Sequence, residues 1–155
     1  MIYNPSDLLP QKPPMEFISA IESFDIQTQD LTARVDVKDT DLLFQHDING
    51  VPGSASLEYM AQSIACFIGC KDIHITGKTK AAAGFILGSR DLHIMTPVYQ
   101  VGESYYIHVQ SLFCDNNMAS FECKITDKNG SIMATGNVNA FRPDDLQTFM
   151  QGGNL

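Results

Sequence analysis

Residues 54–69 read SASLEYMAQSIACFIG, and Ala55, Leu57, Tyr59, Met60, Ala61, Ile64, Ala65, Phe67 and Ile68 point in almost every direction around a helix. A surface helix confines its apolar side chains to one stripe, whereas a helix that is apolar all round is buried. No proline interrupts the run, and Gly69 is placed to end it. The rest of the chain must therefore supply a wall around this helix. Its only charged residue is Glu58, and Glu58, Gln62 and Cys66 recur at intervals of four, so they share one narrow polar face.

A lone carboxylate in such a helix is costly to bury as an ion and tends to stay protonated, which suits an acid catalyst. A second reading puts Glu58 in solvent at the helix start, where a negative charge gains from the helix dipole. Pro52-Gly53 stands directly before the helix. The first N–H groups of a helix lack internal partners, and a glycine lets a ligand carbonyl approach them, so this end could polarise an acyl oxygen. His46 lies in the preceding loop among Phe44, Ile48 and Val51. A neutral imidazole in that setting is a candidate base near neutral pH. His74 falls in a loop after the helix, and His93 and His108 fall at strand positions that favour a surface or cross-strand role.

Pro5, Pro10, Pro13 and Pro14 punctuate residues 1–15. They predict an irregular arm across the core, with one helical turn at Ser6 to Leu9 capped by Ser6. From Phe17 to Val37 the alternating, β-branched pattern predicts a hairpin that turns at Gln27 to Asp30. Asp39 to Gly53 carries Asn49-Gly50 and Pro52-Gly53 and reads as a long functional loop. Further strands are expected at Gly84–Gly88, Asp91–Met95, Ser104–Leu112, Ala119–Thr126 and Ser131–Phe141, with a hairpin turn at Asp127 to Gly130. The sum is an α+β domain in which an antiparallel sheet wraps one helix, covering residues 16–143 and followed by a flexible tail at 144–155.

Composition narrows the function. With 155 residues, 44% of them hydrophobic, the chain can build one core without staples. A formal net charge of −8 argues against nucleic acid as a partner, since such binding rests on neutralising phosphates. No run reaches the roughly 20 apolar residues of a membrane span, and the opening MIYNPSDLLPQKPP has no signal-peptide pattern, so a cytoplasmic protein is expected. The four cysteines, Cys66, Cys70, Cys114 and Cys123, lack metal-ligand spacing and read as buried free thiols. No phosphate-binding loop, dinucleotide fingerprint or nucleophile elbow occurs, and no cofactor or metal is expected.

Pro52-Gly53, four residues, then Glu58-Tyr59-Met60-Ala61-Gln62 resembles the PG-x4-E-x-MAQ signature of 3-hydroxyacyl-carrier-protein dehydratases of the FabZ/FabA type. Leu8-Leu9-Pro10-Gln11-Lys12-Pro13-Pro14-Met15 looks like the segment that opens those enzymes, and Gly84 to Arg90 followed by Pro97 and Gly102 looks like one of their strand-to-turn segments. The chain looks closest to the divergent dehydratases of aryl-polyene-type pathways. The resemblance implies a hot-dog fold, a dimer or higher oligomer, and a site that joins the histidine of one chain to the carboxylate of another. The oligomer could be a heteromer with a homologous dehydratase. It implies that His46 removes the C2 proton of a 3-hydroxyacyl thioester, Glu58 helps the 3-hydroxyl leave, the Gly53 N–H holds the thioester carbonyl, and Gln62 orients Glu58. Tyr59, Met60, Phe85 and Leu87 are candidates for an acyl tunnel. Lys71, Lys78, Lys80 and Arg90 are candidates for docking an acyl carrier protein with its phosphopantetheine-linked chain, although ordinary solvated surface cations fit them equally.

The histidine loop departs from that family. His46 is followed by Asp-Ile-Asn-Gly-Val, and the loop to Pro52 is two residues shorter than usual, which predicts a shifted imidazole. Two other readings therefore stand beside the dehydratase: a hot-dog thioesterase in which Glu58 activates water, and a structural partner of an active homologue.

Overall fold

The computed structural model describes residues 3–9, 13–77, 86–115 and 118–141, with backbone alone for residues 86 and 87. In chain order it contains α1 (Pro5–Leu8), β1 (Ala20–Asp25), β2 (Asp30–Asp36), β3 (Gly50–Pro52), α2 (Ser56–Thr76), β4 (Ile86–Ile94), β5 (Val98–Gln100), β6 (Ser104–Cys114), β7 (Met118–Asp127) and β8 (Ile132–Phe141). Six strands form one antiparallel sheet in the order β1-β2-β6-β7-β8-β4, and β3 pairs with β5 in a separate ribbon. This is the α+β hot-dog arrangement that the sequence implies.

Strand alternation explains how sheet and helix meet. Leu31, Ala33 and Val35 on β2, Tyr105, Ile107 and Val109 on β6, and Phe121, Cys123 and Ile125 on β7 are buried, while their neighbours point to the other face. The buried face receives α2, whose Met60, Ile64 and Phe67 complete the same core. Phe67 packs edge-on against Phe121 with ring centroids 5.5 Å apart and tilts against Phe24 at 5.7 Å.

Several local expectations are corrected. The helix does not end at Gly69; it runs to Thr76 and closes at Gly77, whose φ of +76° is one that glycine adopts freely and whose N–H donates to Ile73 O. Gly69 serves close approach instead, because a Cβ there would lie 2.8 Å from Leu8 Cδ2. His74 is consequently in the last helical turn and not in a loop. In the arm, Asn4 is the cap, with its side chain accepting from Ser6 N at 3.1 Å, while the Ser6 hydroxyl donates to the Glu16 carboxylate at 2.8 Å. The two strands expected at 84–88 and 91–95 are one strand, β4, with a bulge between Arg90 and His93 where Asp91 takes φ +53°. Residues 84 and 85 and the tail at 144–155 lie outside the described residues.

No helix among the described residues is long and apolar enough to cross a membrane. Cys66, Cys70 and Cys123 are buried free thiols and Cys114 is half-buried. Burial pushes the Cys70 and Cys123 thiols up to about 12, which keeps them protonated and unreactive.

On the outer face of the sheet His108 bridges three strands. Its Nδ1 lies 3.0 Å from Thr32 Oγ1 and its Nε2 lies 3.2 Å from Thr126 Oγ1. Partial burial, with a smaller push from Lys124, lowers its pKa against an opposing pull from Asp30. The unfolded imidazole titrates near 6.5, so as pH falls below that value the unfolded chain takes up a proton that the folded chain resists. Stability is thus unaffected by this group above about 6.5 and declines as pH drops toward the folded value. Urea unfolding midpoints measured between pH 7.5 and pH 5, ranges that bracket the ordinary imidazole, are expected to fall less in His108→Gln than in the parent chain.

Candidate active site

The helix start is fastened by backbone and hydroxyl groups. Gly53 opens a 3-10 turn, Gly53 to Ala55, that leads into α2. Its N–H donates to Pro97 O at 2.8 Å, and a Cβ on it would sit 2.0 Å from Thr96 O. The glycine is there because the 94–97 backbone passes so close. This corrects the expectation of a donor open to a thioester carbonyl, since the Gly53 N–H already has its acceptor. Ser56, fully buried, donates to Gly53 O at 2.6 Å and lies 2.5 Å from Tyr99 Oη. The serine has one proton and gives it to Gly53 O, so the tyrosine hydroxyl donates to Ser56. Burial pushes the Tyr99 phenol up to about 12. This neutral pair ties the start of α2 to β5.

One turn along, the polar face meets the N-terminal arm. Gln62 has no exposed surface, and each polar atom of its amide is engaged. Phe17 N donates to Gln62 Oε1 at 2.9 Å, and Gln62 Nε2 donates to Met15 O at 2.8 Å and to Glu58 Oε1 at 3.0 Å. Glu58 is half-buried, neither sealed in the core nor free in solvent. Cys66, the next member of the face, is fully buried and its thiol is raised by burial.

His46 stands elsewhere. It begins a 3-10 turn, His46–Ile48, followed by Asn49 in the left-handed region at φ +51°. Gln45 and Gly50 bridge the base of this turn, with Gln45 N donating to Gly50 O at 2.8 Å. The short loop thus closes as a tight hairpin that presents His46 at its exposed tip, its ring edge-on to Phe44 with centroids 5.0 Å apart. Among the described residues, no hydrogen bond or ion pair joins His46 to Glu58.

The remaining candidates divide. Tyr59 and Met60 are core residues at 1% and 0% exposure, Tyr59 packing edge-on against Phe17 and Tyr99. Lys71 Nζ donates to Gln29 Oε1 at 3.2 Å, and Arg90 is exposed on β4, whose outer edge pairs with no strand among the described residues. Phe85, Lys78, Lys80 and the side chain of Leu87 lie outside the described residues. No cluster of three or more His, Cys, Asp or Glu side chains among the described residues is placed to hold a metal. Sequence reasoning missed Ser56, Tyr99 and the backbone of Met15 and Phe17. Ser56 and Tyr99 carried no signal beyond a serine near a helix start, and backbone partners carry none.

The Gly53 geometry makes a checkable claim. Gly53→Ala forces the 94–97 backbone to move and is expected to lower stability by roughly 1–3 kcal/mol or more, read as a drop in thermal midpoint without any ligand. An unchanged midpoint would contradict the close packing.

A family model described as ApeP-like, ApeP dehydratase, matches residues 3–151. Among solved structures, the chain is similar to one described as the dehydratase heterocomplex ApeI:P from Xenorhabdus doucetiae, with 22% identity over 100% of both chains and a TM-score of 0.87. It is less similar to a hypothetical thioesterase with coenzyme A from Streptococcus pneumoniae, at 10% identity, 78% and 82% coverage and a TM-score of 0.56. The PaaI protein of the phenylacetic acid degradation operon of E. coli gives 9% identity, 81% and 80% coverage and 0.57. No curated protein matches. At these identities the solved structures speak for the hot-dog fold; the family model goes further, and the chain belongs to the ApeP dehydratase family, an enzyme of the lyase type.

Proposed function

We propose that this protein is a cytoplasmic dehydratase that converts 3-hydroxyacyl thioesters on acyl carrier protein to trans-2-enoyl thioesters, in fatty-acid-like or polyene biosynthesis. The single observation that carries the reading is Glu58. In a chain of a dehydratase family, the one charged side chain in the first four turns of the central helix is half-buried and held by a buried amide. That is how an acid is kept in place for proton transfer.

The chemistry follows from the substrate. The C2–H bond lies next to a thioester carbonyl and is the acidic one. Its electrons become the C2–C3 double bond as the C3–O bond breaks, and the oxygen leaves with a proton from Glu58 as water. An imidazole takes the C2 proton and later returns it to the carboxylate. His46 is at an exposed loop tip and, among the described residues, shares no hydrogen bond or ion pair with Glu58 of its own chain. The reading therefore pairs Glu58 with an imidazole of a partner subunit, and His46 with the partner's carboxylate. The partner is a second copy or a homologous dehydratase, as in the heterocomplex to which the chain is similar. With the Gly53 N–H committed to Pro97 O, the thioester oxygen takes its donor from another group. An acidic carrier would dock on local cations in a chain of net charge −8; Arg90 is exposed, Lys71 is held to Gln29, and Lys78 and Lys80 are the further candidates.

The test is direct. The assembled protein is incubated with 3-hydroxyacyl and 2-enoyl carrier thioesters, and the acyl mass is followed. Loss or gain of one water is expected, and Glu58→Gln and His46→Ala are each expected to slow it by about 100-fold or more. Release of free thiol in place of water exchange would identify a thioesterase and overturn the reading.

A further inference from the structure

We infer that the N-terminal segment Met15–Phe17, acting through Gln62, assigns the two oxygens of Glu58: Oε1 is a fixed acceptor, and Oε2 is the oxygen that carries and delivers the acidic proton. The inference rests on the dehydratase reading and adds to it a positioning segment that is remote in sequence.

A primary amide can usually be turned over, exchanging its oxygen and nitrogen. At Gln62 it cannot. The Phe17 N–H is a donor under all conditions, so the atom 2.9 Å away must be the amide oxygen. The Met15 carbonyl is an acceptor under all conditions, so the atom 2.8 Å away must be the amide nitrogen. Turning the amide over would set donor against donor and acceptor against acceptor, and Gln62 has no exposed surface through which water could relieve the mismatch. The second N–H of the same nitrogen then has one place to go, Glu58 Oε1 at 3.0 Å.

Glu58 is left with unequal oxygens. Oε1 accepts whether the carboxyl is charged or neutral. When it is neutral, its carbonyl oxygen is the better acceptor and stays toward Gln62, so the O–H belongs to Oε2, which has no partner among the described residues. The segment that enforces this is itself anchored. Leu8 and Leu9 are buried at 3% and 0% exposure, the Ser6 hydroxyl donates to the carboxylate of Glu16, between Met15 and Phe17, and the Phe17 ring packs edge-on to Tyr59 at 6.3 Å.

The test uses the assembled enzyme and 3-hydroxybutyryl carrier thioester, with kcat and KM measured from pH 5.5 to 8.5, a range above the ordinary carboxyl value. Gln62→Met keeps the volume and removes all three hydrogen bonds of the amide; kcat is expected to fall roughly 10- to 100-fold while KM stays within about twofold, because Gln62 does not touch substrate. Gln62→Glu faces Met15 O and Glu58 Oε1 with an acceptor. Its kcat relative to the parent chain is expected to be lowest at high pH and to rise as pH falls, when protonation returns one donor. A merely structural glutamine would not give that pH-dependent rescue. Should either variant fail to fold, Glu16→Ala loosens the segment from outside and is expected to lower kcat several-fold at constant KM. Parental kcat in these variants, or a flat Gln62→Glu ratio, with Glu58→Gln inactive, would overturn the inference and leave the dehydratase reading standing. Full activity in Glu58→Gln would overturn both.

Discussion

A buried primary amide must satisfy two donors and an acceptor without water, and in this protein the demand falls on Gln62. Its partners come from three places: the Phe17 N–H, the Met15 carbonyl and the Glu58 carboxylate. Leaving any buried member unpaired costs roughly 1–3 kcal/mol, more where a charge is involved. The amide therefore couples the arm to the helix, alongside the apolar packing of Leu8 against Gly69. It also lets a carboxylate survive in the apolar first half of the helix, because one oxygen is satisfied inside the protein while the other stays available.

The helix itself was legible in the sequence because its all-round apolar pattern admits no other placement than the interior. So was the antiparallel sheet, whose alternation at Leu31, Ala33 and Val35 separates one face from the other. What was not legible depends on close approaches between distant segments. Gly69 looked like a helix end because a glycine at the end of an apolar run usually is; only the presence of Leu8 above it explains why a mid-helix glycine was kept. Gly53 looked like an opening for a ligand carbonyl, when the 94–97 backbone fills that space. The two short strands β3 and β5 are held by their pairing with each other, and three residues among glycine and proline give no periodic signal.

Of the candidate site, Glu58 stands out in the sequence as the one charge among residues 54–69, and its interval of four puts Gln62 on the same face, while the role of Gln62 is what the family resemblance implies. The arm that covers this face could not be found in that way, because it contributes backbone atoms, which every residue has. His46 is a different case. Its loop is legible as a loop, but the tight turn from Gln45 to Gly50 presents the imidazole at an exposed tip, and no carboxylate among the described residues pairs with it. On the proposed reading the catalytic pair forms between subunits, so each half looks incomplete in its own chain.

The central claim is that Glu58 is an acid held by Gln62 and completed from another subunit. It is tested most directly by a structure of the assembled enzyme with a non-reacting 3-hydroxyacyl thioester mimic bound. The account predicts the 3-oxygen of the ligand within about 2.6–3.2 Å of Glu58 Oε2, Oε1 still on Gln62, and an imidazole of the partner subunit facing C2. A ligand whose 3-oxygen meets Oε1, or an acyl chain bound with no imidazole of the partner subunit near C2, would contradict it.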